Sequence, residues 1–265
     1  MTGFIGGGNM AEAMVKGMIQ DSRFKIQEII VSEPRGDRRK CLEQTYGIKT
    51  TASNKETASL CNIIILAVKP QNMALVLDEI TDVITGDKTV VSIAAGITLS
   101  FLQSKLKTKK LIRVMPNTPA LVQEGMSVMS MCECFSDRDV AVVRDILMSI
   151  GKVITLPEKY MDAVTALSGS GPAFIALFIE TMIEAGVEMG LSRDNAYKLA
   201  VQTLIGTAKL LDTGLTTEKL REMVTSPGGT TAAGLRVFEE RGLSNIVSEA
   251  LHAALKRAKE LGKTN

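Results

Sequence analysis

The run Phe4-Ile5-Gly6-Gly7-Gly8-Asn9-Met10-Ala11 places Gly6, Gly8 and Ala11 at the fixed positions of G-x-G-x-x-[GA]. It sits between an apolar run, residues 2–5, and a stretch, residues 10–20, whose apolar side chains recur at helical spacing. In such a turn the first glycine permits the tight bend and the second lets backbone approach a pyrophosphate. The small last residue keeps the helix close to the strand, and unpaired N–H groups at the helix start face the phosphates. A strand–helix unit opened this way predicts a bound dinucleotide. A second constellation stands where the next strand, residues 28–32, should end: Ser32-Glu33-Pro34-Arg35-Gly36-Asp37-Arg38-Arg39. Glu33 lies 25 residues after Gly8, close to where an acid would hold the ribose 2′-hydroxyl of NADH. Arg35, Arg38 and Arg39, with Ser32, would instead suit the 2′-phosphate of NADPH, or form a solvated helix start. The two signals conflict, and these residues leave NADPH or NADH open.

A third constellation, Thr225-Ser226-Pro227-Gly228-Gly229-Thr230-Thr231-Ala232-Ala233-Gly234, precedes a helical run. Its glycines and hydroxyls at a helix N-terminus form a nest of N–H donors suited to a small carboxylate, or simply cap the helix. Scarcity narrows the chemistry further. The single histidine, His252, lies in a helical pattern and reads as a helix-surface or packed side chain, so catalysis is expected to proceed without imidazole. Cys132 and Cys134 are too closely spaced for a usual structural zinc site, and with Cys41 and Cys61 too few for a disulfide framework; they read as small hydrophobes or reduced thiols. No metal is expected.

Composition agrees with a small-molecule enzyme. The 265 residues carry 31 basic and 29 acidic side chains, so bulk charge gives no reason to bind nucleic acid or an acidic membrane. Unbroken apolar stretches such as residues 63–68 are far short of the roughly 20 residues of a membrane span, and no leader-like segment opens the sequence. A cytoplasmic protein is expected.

The elements that must position these groups fall into two textures. Runs at 2–5, 28–32, 62–68, 89–94, 111–115 and 153–156 read as strands, alternating with helical patterns at 10–20, 35–46 and 71–84. This predicts an α/β fold with a Rossmann-like, doubly wound, mostly parallel sheet whose ligand lies beyond the carboxyl ends of the strands. Those ends are Ala67-Val68-Lys69-Pro70, Ala94-Ala95-Gly96 and Met115-Pro116-Asn117-Thr118-Pro119, small or conformationally fixed. Beyond residue 158 helical spacing takes over. Residues 173–189 are apolar on most of their circumference, which requires burial in a bundle core or against a partner subunit. The expected division is 1–158, a dinucleotide-binding domain, and 159–265, an all-helical domain for substrate binding and dimerisation.

Taken in order, FIGGGNMA, LAVKP, SIAAG, RVMPNTPALV, SGSGPAF and SPGGTT resemble the Δ1-pyrroline-5-carboxylate reductase family, from residue 3 to about residue 260. The resemblance implies reduction of the cyclic imine pyrroline-5-carboxylate to L-proline with NADPH or NADH, the last step of proline biosynthesis. It implies a Rossmann domain, a helical dimerisation domain, and a homodimer that in many members assembles into a decamer. It places the dinucleotide on Ile5, Gly6, Gly7, Gly8, Asn9 and Met10, on Ser32, Glu33 and Asn54, and on Ala67, Val68, Lys69, Pro70 and Ala95. The substrate carboxylate would meet Ser226, Gly228, Gly229 and Thr230, with a backbone donor at Thr230 and the Thr231 hydroxyl, as catalytic group, near the ring nitrogen. Many members are rich in Ser and Thr where this chain has Glu33. Two other readings compete. A β-hydroxyacid dehydrogenase-like reductase wants a lysine soon after the Gly-rich segment, but Lys198 is 27 residues beyond Gly171. A non-catalytic NAD(P) sensor would not need a second anion nest.

Overall fold

The computed structural model describes residues 1–132 and 137–263. Among them eight strands form one sheet: β1 (Thr2–Ile5), β2 (Ile29–Ser32), β3 (Lys49–Thr51), β4 (Ile63–Leu66), β5 (Thr89–Ser92), β6 (Leu111–Met115), β7 (Gly125–Met131) and β8 (Gly151–Thr155). Their order is β3-β2-β1-β4-β5-β6-β7-β8. Pairing is parallel from β3 through β6, antiparallel between β6 and β7, and parallel again between β7 and β8. The chain winds outward through β1, β2 and β3, then returns to lay β4 against the other side of β1. That reversal creates the crevice in which α/β sheets bind ligands. The expected doubly wound sheet is present.

The strands are apolar on both faces because helices cover both. Phe4, Ile65, Val91, Ile112 and Val114 enter a core under α1 (Asn9–Gln20), with Met14, Val15 and Met18. Their neighbours Ile5, Ile64, Leu66, Val90 and Leu111 enter a second core, with Ala58, Leu77, Ile80 and Leu102. Further helices here are α2 (Gly36–Tyr46), α3 (Asn54–Leu60), α4 (Met73–Ile80), α5 (Leu99–Lys105), α6 (Asp137–Met148) and the short α7 (Met161–Val164). The helix expected over 71–84 divides into a 3-10 turn, Pro70–Asn72, and α4.

Two strands were not foreseen. β3 is the polar tripeptide KTT at the sheet edge. β7, GMSVMSM, dilutes its apolar face with serines, yet Ser127 and Ser130 are buried. The cysteine reading needs correction: Cys41 and Cys61 are free, but Cys132 is disulfide-bonded, and Cys134 lies outside the described residues.

The chain forms two compact units: Met1–Ser170 together with the chain from Ala254 onward, and Gly171–Ala253. The second unit contains α8 (Gly171–Glu188), α9 (Arg193–Asp212), α10 (Thr217–Val224), α11 (Thr230–Glu240) and the first part of α12 (Leu243–Lys263). Helices α8 and α9 pack through Ile183, Ala196 and Ala200, flanked by Ile179 and Val187. Most of α8 stays uncovered within the chain, with Leu177 63% and Ile175 50% exposed. Burial in the chain's own bundle core, one of the two outcomes expected for this helix, is therefore not what the structure shows. By length and composition alone the helical run Glu158–Glu188 could span a bilayer, contrary to the expectation drawn from short unbroken apolar stretches.

Candidate functional site: a glycine turn at the sheet crevice and an uncapped helix

The glycine turn is built at the β1–β4 reversal. Gly6 donates from its amide to the Ser32 carbonyl at 2.8 Å, and Ala67 donates to the Ile5 carbonyl at 2.8 Å, so three strand ends are stitched together. Gly6 has φ of +100°, and a Cβ there would lie 2.8 Å from the Ala67 carbonyl oxygen. Only glycine meets both conditions. A Cβ on Gly8 would meet nothing within 4 Å, so the space before the start of α1 is open. Gly8 caps α1 without a side chain, leaving the first N–H groups of the helix to an incoming anion. An open, positively polarised helix start beside a glycine turn fits a pyrophosphate. Asn9 is exposed and Met10 half-buried at that start; Val68 and Pro70 are half-buried, Lys69 is exposed, and Ala95 is half-buried beyond β5.

At the end of β2 the polar groups interlock. Glu33 is 7% exposed. Its Oε2 accepts the Gly7 amide at 3.0 Å, and its Oε1 accepts both the amide and Nε of Arg35 at 3.1 Å. Burial pushes the Glu33 carboxyl up, but the Arg35 and Gly7 amides and the Arg35 guanidinium outweigh it and hold it below the usual carboxylate range. Ser32 is fully buried and its hydroxyl donates to Asn54 Oδ1 at 2.8 Å. Asn54, the first residue of α3, in turn donates to Glu79 Oε2 at 2.6 Å. Arg38 Nε donates to the Gly7 carbonyl at 2.8 Å while its NH2 pairs with Glu12. Arg39 NH1 spans the carbonyls of Glu33 and Pro34, at 2.7 and 2.9 Å.

Sequence reasoning missed two members of this network. Glu12 takes up Arg38, and the Tyr46 hydroxyl donates to Glu12 Oε1 at 2.9 Å. Helical spacing places Glu12 in the first turn of α1, but nothing in the sequence says which arginine of α2 reaches it. Beyond the end of β6, Asn117 from RVMPNTPALV meets SGSGPAF: its Nδ2 lies 3.2 Å from both the carbonyl and the hydroxyl of Ser168, and its Oδ1 accepts the Met126 amide at 2.8 Å. Ser168 belongs to a π-helical turn, Thr165–Gly169, a distortion often found at functional sites.

The second constellation lies in the helical unit. Ser226, Gly228 and Thr230 are exposed and Gly229 and Thr231 half-buried. The Gly229 amide donates to the Ser226 carbonyl at 3.0 Å, closing a turn in which Gly228 has φ of +71°. Gly229 is the N-cap of α11 and offers no capping side chain. The first internal bond of the helix is Ala233 N–H to the Gly229 carbonyl, at 3.1 Å. The amides of Thr230, Thr231 and Ala232 in that first turn precede it, so the end is ready for a carboxylate. His252 is exposed on α12 with Nδ1 2.8 Å from the Ser248 carbonyl, the helix-surface histidine expected. Among the described residues no cluster of His, Cys, Asp or Glu could hold a metal.

Comparison with known proteins supplies the chemical context. Residues 158–261 match the family model described as pyrroline-5-carboxylate reductase dimerisation, and residues 1–96 one described as NADP oxidoreductase, coenzyme F420-dependent. The pyrroline-5-carboxylate reductase of Synechocystis is 42% identical, covering 98% of each chain. That of Escherichia coli is 40% identical, covering 99% of this chain and 98% of its own. A solved pyrroline-5-carboxylate reductase from Coxiella burnetii superposes with a TM-score of 0.92 at 35% identity, covering 98% and 97% of the two chains. A Plasmodium falciparum pyrroline carboxylate reductase with NADP bound gives 0.88 at 33% identity, with the same coverage. With about 40% identity to pyrroline-5-carboxylate reductases over nearly the whole chain and the dimerisation model matched over residues 158–261, this protein belongs to the pyrroline-5-carboxylate reductase family.

Proposed function

We propose that this chain reduces 1-pyrroline-5-carboxylate to L-proline, using NADPH or NADH. The observation that carries the proposal is the open N-terminus of α11, where the turn Ser226, Gly228 and Gly229 leads into first-turn amides, beginning at Thr230, that precede the first internal bond of the helix and suit a small carboxylate. A reduced nicotinamide, when bound, would supply the hydride for the carbon of the protonated imine; the C=N π pair stays on the ring nitrogen, which becomes a secondary amine carrying one proton more than the neutral imine. A protonated C=N bond already accepts hydride readily, so the chain need not supply a strong acid; the surface position of its one histidine fits that economy. In this reading Thr231 Oγ1 hydrogen-bonds the ring nitrogen, orienting it and relaying its proton without changing its own charge. The α11 amides fix the carboxylate and so select the ring face that is attacked. Positioning of this kind supplies several orders of magnitude in rate. Ile5 to Met10, Ser32, Glu33, Arg35, Asn54, Ala67 to Pro70 and Ala95 hold the dinucleotide.

The same reading assigns residues 1–158 to the dinucleotide and 159–265 to substrate binding and dimerisation. The exposed apolar face of α8 supports a homodimer, and a decamer built from dimers is the larger assembly expected. Nucleic acid and membrane are not partners, and the compartment is the cytoplasm. The near-neutral charge, 31 basic against 29 acidic residues, supports this. The test follows oxidation of NADPH and NADH by the near-ultraviolet absorbance of the nicotinamide, with the cyclic imine and with a β-hydroxyacid precursor as control. Imine-dependent oxidation is expected; nucleotide binding without turnover would favour a sensor. In the Thr231→Ala variant kcat should fall by about 100-fold with nucleotide affinity kept. Parental turnover would reduce Thr231 to a helix-end residue.

A further inference from the structure

We infer that Glu33 makes this chain bind NADH in preference to NADPH. The inference rests on reading the glycine turn as the dinucleotide site and deepens that reading by naming which dinucleotide it takes. Most of the groups that could have welcomed a 2′-phosphate are engaged within the chain. The Ser32 hydroxyl is buried and donates to Asn54. Arg38 is neutralised by Glu12 and bonded to the Gly7 carbonyl. Arg39 turns its NH1 back onto the Glu33 and Pro34 carbonyls. Arg35 is paired with Glu33 itself.

Glu33, by contrast, is held where the ribose end of a dinucleotide is read, at the carboxyl end of β2 and bonded to the Gly7 amide of the glycine turn. Its Oε2 makes that single bond, which leaves a lone pair to accept a ribose hydroxyl. A 2′-phosphate, carrying a charge of about −1.5 to −2, would meet this carboxylate where Arg38 is already balanced by Glu12 and Arg35 by Glu33. Among the described residues that leaves Arg39, held by NH1 on two carbonyls, as the one nearby arginine without an acidic partner to offset it. Moving aside would cost Glu33 the Gly7 and Arg35 bonds that hold it.

Equilibrium titration of the intact chain with NADH and NADPH, read by nicotinamide fluorescence, tests this without turnover. The chain has no tryptophan, so indole emission does not overlap the signal. NADH is expected to bind more tightly by about tenfold or more. Competition by AMP against adenosine 2′,5′-bisphosphate should show the same order, isolating the 2′-phosphate from the nicotinamide. A ratio below about fivefold, or tighter NADPH binding, overturns the inference while leaving the dinucleotide site in place. Binding of neither nucleotide overturns the site reading and the inference with it. Glu33→Ser and Glu33→Gln should each bring the ratio near unity by tightening NADPH; an unchanged ratio in both would remove Glu33 as the determinant. The parental ratio needs no variant, so a substitution that failed to fold would leave the test standing.

Discussion

The two units of this chain solve burial in opposite ways. In the sheet unit a core of large apolar side chains is covered by the chain itself, although Leu75 and Val122 stay exposed: Phe4, Ile5, Met14, Ile64, Leu66 and Leu77 are fully buried between the sheet and its helices. In the helical unit α8 leaves Phe174, Ile175, Leu177, Phe178 and Met182 at least 38% exposed, although its composition is the more apolar. A surface of that kind marks an interaction site. The sheet unit therefore closes its main cores with its own helices, whereas the helical unit leaves much of α8 to be covered by another surface. The match of residues 158–261 to a dimerisation family indicates a second copy of the chain.

The sharpest way to break this comparison is to charge α8. Leu177→Asp with Phe178→Asp should weaken self-association by about 1000-fold or more, because a desolvated charge has no partner in an apolar interface. Sedimentation velocity would read it, and nucleotide binding by the sheet unit should survive. A dimer that persisted at parental concentrations would show that this face is not the covered one.

The next effect contrasts the two cores directly. Ile65→Ala removes a side chain that is 1% exposed and should cost about 3 kcal/mol whatever the protein concentration. Leu177→Ala, at 63% exposure, should shift stability only where association contributes, so its effect on Tm should grow with concentration. Equal, concentration-independent losses would erase the distinction.

Smaller still is the response to pH, which belongs to the sheet unit. Glu12 is pushed up by burial, but its bonds to Arg38 and Tyr46 prevail and hold it below its ordinary value; Glu33 is depressed likewise. The folded state binds fewer protons at both, so their contribution is present above their unfolded value near 4.5 and is lost as pH falls through their folded values. Tyr46 has the opposite sign. Burial and the Glu12 bond raise it from 10.0 to about 12, so stability is lost as pH rises across that window. The loss should be on the order of 1–2 kcal/mol, read by denaturant melts at matched ionic strength. A flat alkaline limb in the parent, or the same limb in Tyr46→Phe, would contradict it. Least affected should be His252→Ala, with stability within about 0.5 kcal/mol of the parent and activity unchanged; a larger loss of either would show that the imidazole does more than cover α12.

Much of this was legible before any fold was seen, because period and punctuation are local. The alternation of β4 between two cores follows from an unbroken apolar run, and the Gly6 turn from a glycine at the one position where φ is positive and a Cβ would strike Ala67. The uncapped start of α11 was likewise written as Gly229 ahead of Thr230. β3 and β7 escaped because a polar edge tripeptide and a serine-diluted strand take their conformation from neighbours. The same holds for buried Arg113, whose NH1 lies 3.2 Å from Glu158 Oε1, a carboxylate that also accepts the Leu99 amide at 2.8 Å. Those partners are 45 and 59 residues apart in the chain.

What the sequence alone determined, then, was most of the parallel strands, the glycine turn and the glycine-led start of α11, since each depends on residues within a few positions of one another. Only the tertiary structure decided how the charges at the end of β2 are spent. Whether Arg38 serves a phosphate or Glu12 depends on α1 and α2 lying side by side, and whether Glu33 faces solvent or the Gly7 amide depends on the β1–β2 register. Ion pairs and buried hydrogen bonds are made across space, and a one-dimensional reading leaves each such side chain with every partner its chemistry allows.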